Sequence, residues 1–438
     1  MLRRSKERKR HPGRPKRQAL VVGGLVLLGL LALNAAASFA ATKMTIAVHF
    51  EAGQIEYLEP YVKEYQRLHP EVEIELLSTP FAEFLPKLQV MQASGIGPDI
   101  VHVYSLWAPQ LRDLKLVSPA PAPVARDIEE HYVSTAVQGV TLDGEILGYP
   151  TEINNYMLLY NKRLFAERGL AEPPALWDEM IETAKRLTDR DPTGAITQAG
   201  FAFLRGWDSA VVHPFLALLF SEGGRLFSAD QREVLLHSPE ALTTLERQVR
   251  MFEEGATDPA VDLWGGFPGE RVAMVVMAPW WESSLKSTMG DRFEVVGVAP
   301  IPGGREGNKS LLYTWFWSVN DRSPHKDQAW AFLQWLNGPR ESGETSRMGD
   351  FLVTLGIIPS RWIDIQNHPE EFYDDFTRPF VEHLEASLPE PIVPRGQEIK
   401  EIMWQEIEAA WFGQKPPRAA LLDAKQRIDA ILAETHAP

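Results

Sequence analysis

Beyond a basic N-terminal stretch, the chain alternates between two hydrophobic rhythms. Met44-Thr45-Ile46-Ala47-Val48 has the run of a buried strand, and Ile55, Leu58, Val62, Tyr65 and Leu68 then recur at helical spacing. Val72-Glu73-Ile74-Glu75-Leu76 follows with the period-two alternation of a second strand. This order predicts a β-α-β unit, a parallel strand pair joined by a right-handed crossover. A second helix over 81–93 leads into the turn Gly95-Ile96-Gly97-Pro98-Asp99, and then into an apolar strand from Ile100 that ends in Tyr104, Ser105 and Trp107. After the Pro173-Pro174 stop, Trp177, Met180, Ile181, Ala184 and Leu187 mark one face of an amphipathic helix. Trp330, Leu333, Trp335 and Leu336 predict another, with Ser323 as its N-cap and Pro324 in its first turn. Strands and helices in alternation predict an α/β fold. An open parallel sheet holds ligands beyond the carboxyl ends of its strands, which places Tyr104, Ser105 and Trp107 at a site.

Composition narrows the compartment and the partners. A length of 438 residues is ample for two domains. The chain has no cysteine, which excludes a disulfide scaffold and a lipoprotein held by an acylated cysteine. The first 17 residues carry nine Lys or Arg and one Glu, Ala19 to Leu33 are apolar, and Ser38-Phe39-Ala40 has small residues where a signal peptidase cuts. Residues 1–40 are therefore read as a secretory signal peptide cleaved after Ala40, giving a soluble periplasmic or extracytoplasmic product. The other reading is a retained membrane anchor, for which 15 apolar residues fall short of the ~20 that span a bilayer. Without the leader, 35 basic residues face 58 acidic ones, a formal charge of −23. So acidic a surface argues against nucleic acid or an anionic membrane surface as partner.

Gly97-Pro98-Asp99-Ile100, Gly148-Tyr149-Pro150, Leu159-Tyr160-Asn161-Lys162 and Pro173-Pro174-Ala175-Leu176-Trp177 occur in an order and spacing that continue through Met274 to Trp281. Val298-Ala299-Pro300, Ala329-Trp330-Ala331-Phe332-Leu333 and Ile358-Pro359 extend the series. Together they resemble the family-1 extracellular solute-binding proteins of ABC importers, the maltose-binding-protein-like sugar and oligosaccharide binders. The resemblance implies a periplasmic-binding-protein-like fold of two α/β lobes with a ligand cleft between them, joined by strands that cross near Gly148 to Thr151, Pro302 to Leu312 and Leu355 to Ser360. Residues 41–150 plus 313–357 would form the N-terminal lobe, and 151–312 plus 358–438 the C-terminal lobe. It further implies a non-catalytic, monomeric receptor that closes on a sugar and docks on the membrane permease subunits.

Sugars present hydroxyls at their rims and C–H patches on their faces, so their sites combine flat aromatic rings with fixed polar groups. The chain has 13 Trp. Transferred from the resemblance, the ligand-binding set is Glu51 after the first strand, Tyr104, Ser105 and Trp107, and Trp280, Trp281 and Glu282. Phe84, Asn155, Trp207, Tyr313 and Trp315 join it by proximity to the crossing segments. If the Trp280-Trp281 segment is extended, one ring faces the cleft, and Trp281 is the expected one. Trp315 and Trp317 share a strand face, and core or cleft stays open for that pair.

Two other readings compete. The same fold could take an anionic ligand such as a glycerol phosphate ester, for which Arg205, Arg347 and Arg361 are available. Glu51 and Glu282 could instead be the paired carboxylates of an exported carbohydrate-active enzyme. No Gly-x-Ser-x-Gly, His-Glu-x-x-His or Walker loop occurs. The 11 His lack ligand spacing, so neither a metal nor a cofactor is expected. Asp189-x-Asp191-x-Thr193-Gly194 has the opening of a calcium loop, but Gly200 stands where a bidentate Glu belongs, and a turn is expected.

Overall fold

The computed structural model describes residues 41–435 except Glu51 and Ser342. Strand β1 (Thr42–Val48), helix α1 (Ala52–Leu68) and strand β2 (Val72–Ser78) form the expected unit, with β1 and β2 parallel from Thr42 opposite Val72 to Val48 opposite Ser78. Ile55, Leu58, Val62 and Tyr65 are the buried face of α1, while Leu68 at its end is exposed. Helix α2 (Phe81–Ala93) leads to β3 (Ile100–Tyr104), which lies parallel to β1 on its other side.

The rest of the main sheet departs from a simple parallel order. After β4 (Tyr149–Asn155) and β5 (Met157–Asn161), helix α3 (Trp177–Leu187) buries the five residues of its predicted apolar face. Helix α4 (Asp208–Ser221), strands β6 (Met274–Met277) and β7 (Val296–Ala299), and the nine-residue β8 (Leu311–Val319) follow. Strand β8 runs antiparallel to both β3 and β4, so the sheet order is β9-β8-β3-β1-β2, with β4 also on β8 and β9 (Leu388–Pro389) parallel to β8. Strands β6, β5 and β7 make a separate antiparallel sheet.

Helix α5 (Lys326–Asn337) starts later than the sequence suggested. Ser323 gives its hydroxyl hydrogen to Asp99 Oδ1 at 2.5 Å and accepts from the His325 amide at 2.9 Å, so it organises the preceding turn rather than capping the helix. Helices α6 (Arg347–Thr354), α7 (Gly396–Trp411) and α8 (Pro417–Thr435) complete the elements used below.

Buried side chains fall into two hydrophobic clusters. One gathers around β1 to β3, Trp315 to Val319, α5 and α6, and the other around β5, β6, α3, α4, α7 and α8. Membership changes between Tyr149 and Ile153, between Leu312 and Trp315, and between Leu352 and Ile358. These three segments run side by side. Thr314 lies opposite Ile153, the Ile153 amide donates to the Ile358 carbonyl at 3.0 Å, and the Ser360 amide donates to the Thr151 carbonyl at 2.7 Å. Val133 and Ala136 pack with the second cluster although most of their neighbours in sequence belong to the first.

Candidate functional site

A cavity of about 280 Å³ lies where the crossing strands separate the two clusters. Phe81 at the start of α2, Tyr104 at the end of β3 and Trp315 in β8 line it from one side. Trp207 and Ser209 around the start of α4, His213 within it and Trp280 line it from the other. Glu152 and Asn154 of β4, the following Tyr156, and Tyr313 of β8 form the floor. Trp264 widens the second wall, its ring stacked 6.0 Å from Trp207 at 17° and 6.3 Å from Trp280. Among the described residues, none that lines the cavity is Lys or Arg.

A buried polar network ties one wall to the other. Tyr104 donates its hydroxyl hydrogen to Glu390 Oε2, and Lys400 Nζ donates to the Tyr104 oxygen at 2.7 Å and to Glu390 Oε1 at 2.8 Å. His213 Nε2 lies 3.0 Å from Glu390 Oε1, and its Nδ1 lies 3.0 Å from the Tyr156 hydroxyl. Burial opposes charge on Glu390, but the Lys400 ammonium and His213 hold its carboxyl well below the usual range. Burial and Lys400 push the His213 imidazole down, and burial with the nearby Glu390 pushes the Tyr104 hydroxyl up.

Of the residues expected here, Tyr104, Trp207, Trp280, Tyr313 and Trp315 come together around the cavity. Phe84, Ser105, Trp107, Asn155, Trp281 and Glu282 do not line it, and Glu51 lies outside the described residues. The end of β3 turns into a buried 3-10 segment at Ser105–Trp107, where Gly396 packs on Leu106 and the Trp107 indole donates to Gln397 Oε1 at 3.2 Å. Trp107 and Phe84 thus form a layer behind Phe81 and Trp315, with Phe81 stacked on Trp107 at 5.6 Å. Asn155 points to the opposite face from Glu152 and Asn154's side of the floor residues and donates to the Phe380 carbonyl at 3.0 Å.

The Trp pair resolves the other way round. Pro279–Trp281 is a 3-10 turn in which Trp280 is 38% exposed at the cavity, while Trp281 is 4% exposed and packs on Phe267 and edge-on to Trp264. Glu282 is engaged by Lys286 at 2.7 Å and by the Thr377 hydroxyl at 3.4 Å, and burial raises its carboxyl. Trp315 and Trp317 do share a face of β8 but differ in depth, with Trp315 at the cavity and Trp317 buried against His102 at 4.5 Å.

The arginines considered for an anionic ligand are placed elsewhere. Arg205 borders a separate hollow with Asp262 and Glu408, Arg347 lies over the Trp335 ring at 4.0 Å, and Arg361 makes a two-pronged pair with Asp127 at 2.9 Å for each bond. Asp191 closes a turn by accepting from the Thr193 and Ala195 amides at 2.8 and 3.1 Å. The histidines, in contrast, are not all scattered. His49 after β1, His102 in β3 and Glu152 in β4 place ligand atoms within 4.8 Å of one another beside the cavity, an assembly that separations of about fifty residues do not advertise.

The bacterial extracellular solute-binding protein family matches residues 51–342, more than half of the chain, and the chain belongs to that family. A binding protein of Brucella abortus (strain 2308) is 24% identical over 427 residues, covering 94% of this chain and 98% of that protein. The erythritol/L-threitol-binding protein of Mycolicibacterium smegmatis is 26% identical over 316 residues, covering 64% of this chain and 65% of its own. The crystal structure of the cyclic alpha-maltosyl-1,6-maltose binding protein from Arthrobacter globiformis superposes with a TM-score of 0.76 at 22% identity, over 90% of this chain and 100% of that one. That likeness establishes the mixed α/β fold. No helix among the described residues is long and apolar enough to cross a membrane.

Proposed function

We propose that this chain is the extracytoplasmic receptor of an ABC importer, a non-catalytic monomer that captures a neutral sugar or short oligosaccharide and delivers it to the membrane permease. The observation that carries this reading is the lining of the cavity. Indole and phenol rings line the cavity, the polar groups between them include Glu152, Asn154 and Ser209, and the described lining residues include no Lys or Arg. Such a surface suits C–H faces and hydroxyl rims, and it lacks the arginine forks that grip a phosphate. Relatives that bind a four-carbon polyol or cyclic and linear oligosaccharides support the same ligand class. A volume of about 280 Å³ favours a compact ligand, since small-molecule sites commonly run from about 300 to 1,000 Å³.

The three adjacent crossing segments are suited to act as a hinge, with β8 and β4 paired across it. Closure then follows from tighter ligand binding in the closed arrangement than in the open one. The test is native mass spectrometry of the protein as purified, followed by calorimetry with neutral polyols, monosaccharides and oligosaccharides and with glycerol phosphate. Binding of a neutral carbohydrate without turnover is expected. Preference for the phosphate ester, or hydrolysis of an oligosaccharide, would overturn the proposal.

A further inference from the structure

Three donors from distant parts of the sequence meet under the first wall of the cavity. The imidazoles of His49 and His102 face each other Nδ1 to Nδ1 at 2.9 Å. Glu152 Oε2 is 3.3 Å from His102 Nε2, and Oε1 is 3.9 Å from His49 Nε2. The geometry points to a binding site for one divalent transition-metal ion, zinc being the best match, held by His49, His102 and Glu152 with its remaining coordination position open to the cavity.

The chemistry of the donors selects the ion. Two imidazoles and one carboxylate suit zinc and its neighbours, whereas calcium and magnesium want oxygen throughout. Bonds of about 2.0–2.1 Å in a tetrahedron set donors roughly 3.3–3.4 Å apart. With one donor atom taken from each residue, the three lie within 4.8 Å of one another, so rotations of the rings and carboxylate bring them around one ion.

The surroundings hold these side chains in place as a metal site requires. Thr151 gives its hydroxyl hydrogen to Glu152 Oε2 at 2.5 Å, and its oxygen lies 2.9 Å from His102 Nε2. The hydrogen on His102 is thereby assigned to Nε2, leaving the Nδ1 lone pair aimed at His49. The His49 ring lies flat on Trp315, 3.7 Å away at 14°, and His102 is held between Phe50 and Trp317 at 4.8 and 4.5 Å. His49 and Glu152 both line the cavity, which provides the entry path and room for a water or a ligand oxygen as fourth donor.

This inference does not depend on the ligand being a sugar, and its test uses none. Tag-free protein is stripped with a chelator, dialysed, and titrated with zinc chloride and separately with cobalt chloride. Bound metal is counted by mass spectrometry, and cobalt is followed by its visible absorption. One equivalent of zinc and the strong bands of tetrahedral cobalt are expected in the parent protein. His49→Gln and Glu152→Gln should each weaken zinc binding by at least about a hundredfold, and Thr151→Val by about 10- to 100-fold as expected for a supporting hydrogen bond, with unchanged circular dichroism. Failure of the parent to take up an equivalent of zinc would overturn the site. So would undiminished zinc binding by a folded Glu152→Gln variant, which keeps the shape of the side chain it replaces.

Discussion

Adjacent tryptophans with opposite roles give the sharpest test of the cavity. Trp280→Ala removes an indole that is 38% exposed at the cavity wall, and Trp281→Ala removes one that is 4% exposed among Phe267 and Trp264. A sugar face covering on the order of 60 Å² of the Trp280 ring at about 25 cal/mol per Å² is worth about 1.5 kcal/mol, a little over tenfold in Kd. Little core is lost at that position, so the melting temperature should move by no more than a degree or two, on the order of surface substitutions. The Trp281 change empties a packed site and should cost about 3–5 kcal/mol of stability. Differential scanning calorimetry and ligand titration, run on both variants, separate the two effects. A Trp280→Ala protein with parental affinity for a ligand that the parent binds would refute the assignment of that wall, and a Trp281→Ala protein of parental stability would refute the packing argument.

Further tests address the network between the walls and the crossing. Lys400→Met leaves Glu390 buried beside Tyr104 and His213 without its ammonium and should cost about 3–5 kcal/mol in urea denaturation. The groups facing Glu390 are Tyr104, His213 and Lys400, with Tyr156 behind His213. Glu390 has a depressed pKa in the fold, so its contribution is complete above the unfolded carboxylate value of about 4.3 and is lost as pH falls below it. His213 is also depressed, so the unfolded chain binds its proton first and stability starts to fall below about pH 6.5. Denaturation at fixed temperature from pH 8 to 3 should show both steps in the parent, with the upper one reduced but not abolished in a folded His213→Gln variant, because burial also depresses His49 and His383. Gly148→Ala would bring a Cβ to 1.9 Å from the Trp317 carbonyl oxygen, and because both partners are backbone the crossing strand must shift, so a large drop in melting temperature is expected.

Several elements were legible because each carries a single clear period. Helix α2 spans the anticipated residues 81–93, and α3 buries all five residues of its 3.6-period stripe. The direction of β8 was not legible. An apolar run such as Leu311 to Val319 is compatible with either orientation, and its antiparallel pairing with β3 follows from where the crossing delivers the chain. Ser323 and Pro324 form a plausible helix start in sequence, yet the buried Asp99 carboxylate takes the Ser323 hydroxyl and delays the helix to Lys326.

The cavity followed strand geometry more closely than motif position. Along the crossing strand, Glu152, Asn154 and Tyr156 fall at period two and all line the cavity, while Asn155 between them turns to the Phe380 carbonyl. Tyr313 and Trp315 obey the same period on β8, and Trp317 continues their face into the core. The end of β3 therefore brings Tyr104 to the cavity but not Ser105 or Trp107, for a definite reason. Residues 388–400, about 290 positions away in sequence, arrive at that strand end with Glu390, Gln397 and Lys400 and cover it. Tyr104 stays on the cavity while its hydroxyl bonds Glu390 and Lys400 of this late segment, so the ligand wall and the contact between the two clusters share one side chain. A motion that separated the clusters would have to break those hydrogen bonds or carry the late segment along with Tyr104.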